Sequence, residues 1–140
     1  MAVLALDVGS KRIGVAVADP TGSFALPVTV IERTNLAADL AEILELAVAY
    51  LANELVVGDP VRLSGERGPA SDKMDRFVDA LARVFPGTIH RVDERLTTAQ
   101  ATKTLIAADV SRAKRRAAVD KMAAALILES FLARRRGPST

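Results

Sequence analysis

A chain of 140 residues, half of them hydrophobic, is long enough to bury a substantial core, and a single domain over 1–140 is expected. With no cysteine and one histidine, His90, it excludes disulfides, thiolate zinc sites, cysteine nucleophiles and histidine-based metal clusters, so that any metal site must be built from oxygen, which favours Mg²⁺ or Mn²⁺. The net charge of +2 divides unevenly, +6 over residues 112–140 and −4 before them, which suggests a polyanionic partner meeting one end of the fold.

In chain order, residues 2–18 read as two strands joined by a tight turn, and "FALPVTVIE" (24–32) adds a third after the turn signal "DPTGS". Asn35 caps a helix whose apolar residues Leu36, Leu40, Ile43, Leu44, Ala47 and Leu51 recur at helical spacing. "ELVVG" (54–58) is a short buried strand, and a helical crossover before it implies parallel pairing. Pro69 stands where the next helix begins, its stripe Met74, Phe77, Val78, Leu81, Ala82 and Phe85 faces a core, and Pro86-Gly87 stops it. "TIHRV" (88–92) is the fifth strand. Thr97 and Gln100 have capping-box spacing for a helix to about residue 108, "SRAKRR" reads as a basic loop, and a last helix spans about 117–134. The order βββαβαβαα predicts an α/β fold: a mixed five-stranded sheet, an antiparallel meander plus two parallel strands, with helices on both faces and the first strand central.

No apolar run approaches the ~18 residues that span a bilayer, and no basic-then-apolar leader follows Met1, so a soluble cytoplasmic chain without a membrane partner is expected.

Three carboxylates stand where the pattern wants apolar or small residues. Asp7 ends the first strand, Glu94 follows the fifth, and Asp120 shares a helix face with Ala123, Ala124, Ile127 and Phe131. A lone carboxylate buried on such a face costs several kcal/mol unless it is paired, protonated or bound to a cation. Converging at one sheet edge, the three would form a site for divalent ions, a pair of which activates water and stabilises the leaving oxygen in phosphodiester hydrolysis. Each also has a structural alternative: Asp7 as a cap on the Gly9 turn, Glu94 as a partner of Arg91 or Arg95, Asp120 as a partner of Lys121 or a sheet arginine. Asp93 alternates to the other face from Glu94. Asp59, at another strand end, either joins the metal site or starts a turn.

Four segments, "LALDVGSKRIGVAVAD", "ELVVGDPVRLSGERG", "VDERLTTAQA" and "VDKMAAALILESFL", resemble in order and spacing the YqgF/RuvX family of RNase H-like proteins over nearly the whole chain. The resemblance implies an RNase H-like fold and a divalent-metal nuclease, with Mg²⁺ or Mn²⁺ as a two-ion cofactor, acting in 5′-end maturation of 16S ribosomal RNA. Family members are also described as Holliday junction resolvases. It assigns the acidic site to Asp7, Glu94 and Asp120. At Asp59 the chain departs from the apolar residue that the family often carries before the proline. Arg12, Arg95, Thr97 and Thr98 match family segments and suit phosphate contact, since arginine offers bidentate donors and a capped helix start offers free N–H groups. Lys11 and the basic run Arg112, Lys114, Arg115 and Arg116 complete the expected nucleic-acid surface.

A DxG hairpin also opens the sugar kinases and actin-like ATPases, but that reading requires a second such hairpin, which the sequence lacks. A binding module that grips nucleic acid without cutting is a further alternative, weakened because its carboxylates would only repel phosphate. Between RNA and branched DNA, oligomeric state discriminates: a resolvase would ordinarily cut a two-fold junction as a homodimer, whereas a monomer suffices to trim an RNA end.

Overall fold

The computed structural model describes residues 2–59, 68–93 and 112–136, the side chains of 70, 112–118 and 136 excepted. The strands are β1 (Ala2–Val8), β2 (Arg12–Ala18), β3 (Ala25–Glu32), β4 (Ala52–Asp59) and β5 (Thr88–Asp93); the helices among the described residues are α1 (Leu36–Ala49), α2 (Pro69–Val84) and α3 (Arg112–Arg136). The expected helix near 97–108 lies outside the described residues.

The sheet order is β3-β2-β1-β4-β5, with β1 central as predicted. β2 pairs antiparallel with β1 and β3, while β4 pairs parallel with β1 and β5. The C-terminal ends of β1, β4 and β5 therefore meet at one edge, the edge at which open α/β sheets bind ligands. β3 takes the outer position, where Pro27 is tolerated because an edge strand has ladder positions that need no N–H donor.

Strand alternation sorts the side chains into two cores. Leu4, Leu6, Ile13, Val15, Leu55 and Val57 face α1 and α2, which contribute Leu40, Ile43, Phe77 and Leu81. Val3, Ala5, Ala16, Ala18 and Val56 face α3, which contributes Ala123, Ala124, Ile127 and Leu128. The ends of α1 and α2 follow local rules. The Asn35 side chain accepts from the Ala38 N–H at 2.9 Å, and Pro69 occupies the first turn of α2 behind Gly68.

One expectation is corrected. Residues 112–116, read as a loop, form the opening turns of α3, one helix of 25 residues. Alanine, arginine and lysine are good helix formers and no glycine or proline interrupts them, so a run of like charge does not break the helix.

Small residues let α3 lie close on the sheet. A Cβ added to Gly14 of β2 would sit 2.0 Å from the Asp120 carbonyl oxygen, so only glycine allows this approach. Toward its other end α3 is clamped to β4. Arg135 donates in bidentate fashion to Glu54, Nη1 to Oε2 at 2.9 Å and Nη2 to Oε1. His90 Nε2 lies 2.9 Å from Glu54 Oε1, and the His90 ring packs 4.7 Å from that of Phe131. The Arg135 fork, assisted by His90, pulls the Glu54 carboxyl down from 4.5 to about 2, against the upward push of partial burial.

Gly14→Ala is expected to lower stability by about 2–3 kcal/mol through overpacking, measured by urea unfolding, and an unchanged midpoint would contradict the contact. Because the folded state holds Glu54 below its ordinary value, the clamp contributes fully above pH 4.5 and is lost as the pH falls toward 2. Glu54→Gln should therefore flatten the fall of melting temperature over that window. An identical acid slope in the variant would show that the clamp adds nothing.

Candidate active site

Asp7 is the penultimate residue of β1. Alternation with Val3 and Ala5 puts it on the α3 face, where it is 5% exposed. Its cross-strand partner is Gly14, the glycine on which the Asp120 backbone rests. The Cα of Asp120 lies 3.2 Å from the position of a Gly14 Cβ. The Cα of Asp7 is one antiparallel spacing, about 5 Å, from that of Gly14. Two acids separated by more than a hundred residues thus flank one glycine.

Arg12 precedes Gly14 by two residues on the same face of β2. Its Nε donates to Asp120 Oδ2 at 2.8 Å, with both side chains largely withdrawn from solvent. Of the alternatives open for Asp120, the sheet arginine is therefore present. Arg12, expected on phosphate, is engaged with a carboxylate instead. A charge in this half-buried position needs a counter-ion, and the guanidinium supplies one. Carboxylates on either side of one glycine are hard-oxygen donors, the type of ligand that Mg²⁺ and Mn²⁺ take.

Glu94, Arg95, Thr97 and Thr98 lie outside the described residues; Glu94 directly follows the end of β5. Among the described residues, no three His, Asp or Glu side chains are grouped to hold a metal.

Asp59 is not brought to Asp7. Two positions after Val57, it shares the α1 and α2 face and accepts from Arg91 Nη2 at 3.1 Å, while Arg91 Nη1 is 2.8 Å from Asp75 of α2. The period of two in the strands parts the two acids. Asp93 pairs in register with Asp59 and follows Val92 of the α3-facing core, which puts it on the α2 side.

Lys11 is exposed in the β1–β2 turn, which the Gly9 N–H closes by donating to the Arg12 carbonyl at 2.8 Å. Arg112, Lys114, Arg115 and Arg116 stand one to two turns before Asp120 on the same helix, within about 12 Å along its axis. Sequence reasoning missed Gly14 as the docking point of α3. The available signal was a glycine inside an otherwise apolar strand, which marks a close backbone approach.

A family model described as RuvX, Holliday junction resolvase, matches residues 1–134. A protein of Moorella thermoacetica named "Putative pre-16S rRNA nuclease" is 45% identical over 134 residues, 96% of each chain. Proteins of the same name from Desulforudis audaxviator and Myxococcus xanthus are 44% and 42% identical, covering all of this chain and 100% and 93% of theirs. Among solved structures, T. thermophilus RuvC in complex with a Holliday junction substrate superposes with a TM-score of 0.62 at 15% identity, covering 98% of this chain and 96% of that one. The fowlpox virus Holliday junction resolvase gives 0.56 at 14% identity, covering 96% and 99%. At these identities the likeness is one of fold, and that fold is RNase H-like.

Proposed function

Because the chain belongs to the RuvX family, we propose that it is a divalent-metal nuclease that hydrolyses phosphodiester bonds in 5′-end maturation of precursor 16S ribosomal RNA. The observation that carries this reading is Asp7, buried on the α3 face opposite Gly14, the glycine against which the Asp120 backbone rests, at the C-terminal edge of the sheet. Full-length relatives bearing the pre-16S name support RNA as the substrate.

In this reading Asp7, Asp120 and Glu94 hold Mg²⁺ or Mn²⁺, as a pair of ions. When bound, the metal supplies an activated water and neutralises charge on the leaving oxygen. The chain's own residues set the stage for this. Asp7 is held by the central strand away from bulk water, which strengthens every electrostatic interaction it makes. Asp120 arrives on α3, oriented by Arg12, which balances its charge before a metal does so. Lys11 and the basic start of α3 grip phosphates on either side, and Arg95, Thr97 and Thr98 are assigned to phosphate contact by the family resemblance. No helix among the described residues is long and apolar enough to cross a membrane, and precursor ribosomal RNA as substrate assigns the activity to the cytoplasm.

The test is one purified preparation assayed with and without Mn²⁺ on a precursor 16S fragment and on a synthetic four-way junction. Metal-dependent cleavage of the RNA is expected. Cleavage of the junction alone would make the chain a resolvase, and binding without cleavage of either would make it a binding module.

Asp7→Asn should abolish both cleavage and the rise in melting temperature on adding Mg²⁺, while leaving the metal-free protein as stable as before or slightly more so, since it relieves repulsion between acids. A variant that melts several degrees lower without metal and still cleaves would make Asp7 a structural residue. Arg12→Gln should lower the metal-free melting temperature and enlarge the Mg²⁺-induced rise, because the guanidinium competes with the ion at Asp120. An unaltered Mg²⁺ response, read by thermal denaturation, would contradict that competition.

A further inference from the structure

On the opposite face of the sheet from Asp120, a cavity of about 560 Å³ opens between the β1–β2 turn, the start of α1 and the first turns of α2. Its size is that of a small-molecule site. Its apolar lining is Leu36, Met74 and Phe77, and three cations stand around it, Arg33, Lys73 and Arg76.

Arg33 is anchored rather than loose. Its Nε donates to Asp39 Oδ2 at 3.0 Å, its Nη1 donates to the Gly9 carbonyl at 2.8 Å, and its guanidinium carbon lies 5.3 Å from the centre of the Phe77 ring. Asp39 is 1% exposed and also accepts from the Thr34 N–H, so the anchor is itself built into the core. Lys73 and Arg76 are exposed and make no ion pair with a described residue. They stand three apart on α2, neighbours on one helix face. Among the described residues no acid lines the cavity: Asp39 pairs with Arg33 and Asp75 with Arg91, while Asp72 and Asp79, exposed on α2, lie outside the lining. The cavity thus offers a net positive rim over an apolar floor backed by a stacked guanidinium.

A flat heterocycle joined to a phosphate satisfies both parts at once: bases stack on arginine planes and apolar side chains, and phosphate pairs with lysine and arginine. The position narrows the source. Val8, Gly9 and Ser10, which line the cavity, follow Asp7 directly in sequence, so a strand crossing the β1–β2 turn reaches the cavity on one side and the acids on the other. We propose that this cavity holds one nucleotide of a single-stranded segment of the nucleic-acid substrate, its phosphate on Lys73 and Arg76 and its base over Leu36, Met74 and the Arg33–Phe77 stack. The proposal rests on the nuclease reading for its substrate class, and it adds a base-binding subsite to it.

The experiment uses the full chain in EDTA, so that binding is read without cleavage. A 5′-labelled single-stranded RNA carrying 5-iodouridine is titrated by fluorescence anisotropy, cross-linked by ultraviolet light and mapped by mass spectrometry; adenosine 5′-monophosphate is titrated in parallel against the methionine methyl resonances. Lys73→Glu/Arg76→Glu is compared with the native chain after circular dichroism has shown it folded. Cross-links are expected in α2 at Met74 or Phe77. The double variant should bind the RNA about ten-fold or more weakly, with a salt slope reduced by about 0.7, the single-strand increment for the one phosphate that the two cations hold. Leu36→Ala should weaken binding without changing the salt slope, since it removes apolar contact and no charge. Cross-links confined to other elements, with equal affinity in the double variant, would overturn the subsite; if the native chain still cleaves RNA with Mn²⁺, the nuclease reading stands. Monophosphate binding that shifts the Met74 methyl, with no RNA cross-link to α2, would assign the cavity to a free nucleotide and overturn the strand reading. Neither binding nor cleavage of RNA by the native chain would overturn both.

Discussion

The close approach of α3 to β2 at Gly14 is the contact on which the rest of the arrangement depends. Helices ordinarily keep 8–10 Å from what they pack against because side chains intervene. Here a glycine on the strand and alanines on the helix remove the spacers, and the main chain of Asp120 comes to rest on the strand itself. That single approach determines where the Asp120 carboxylate lies, brings it within reach of Arg12, and sets it beside a β1 acid that the ladder places opposite the same glycine. Moving the helix outward by a methyl group would separate the pair.

The other end of α3 shows why the approach is maintained. The Glu54 carboxylate receives both arms of the Arg135 guanidinium and a ring nitrogen of His90, while Arg135 and His90 each pack on Phe131. A long helix held at two separated points has little freedom to roll or slide, and a site assembled from its side chain inherits that rigidity. The clamp uses charged and aromatic groups where the body of the helix uses alanine and leucine, so orientation comes from its end and proximity from its middle.

Both faces of the sheet carry charge at the same edge. On the α3 face Asp7 and Asp120 stand with Arg12; on the α1 and α2 face a cavity is lined by Arg33, Lys73 and Arg76. The β1–β2 turn lies between them and is tied to the basic side by the bond from Arg33 to the Gly9 carbonyl. An acidic centre repels a polyanion until cations neutralise it, so bases on both sides of the turn offset that repulsion. The charge asymmetry along the chain has a partial structural counterpart here: four of the eight bases after residue 111 lie in the first turns of α3, the helix that carries Asp120, and three more end it.

Much of this was readable in the residues. Apolar periodicity identified five strands and the course of α1 and α2, Asn35 and Pro69 marked helix starts, and three misplaced acids pointed to an oxygen-based site, because spacing and capping act over a few residues and leave their mark in the local pattern. What lay beyond reach was of a different kind. Asp59 and Asp7 look alike as acids at strand ends, yet alternation from their core neighbours sends them to opposite faces. The basic run 112–116 looks like a loop by charge and is helix by propensity. The Arg12–Asp120 pair spans 108 positions and exists because a register and a helix docking, each the sum of many distant contacts, bring the two together. Local chemistry names the candidates, and only the folded chain selects which of them meet, since partnership depends on distances that no sequence interval encodes.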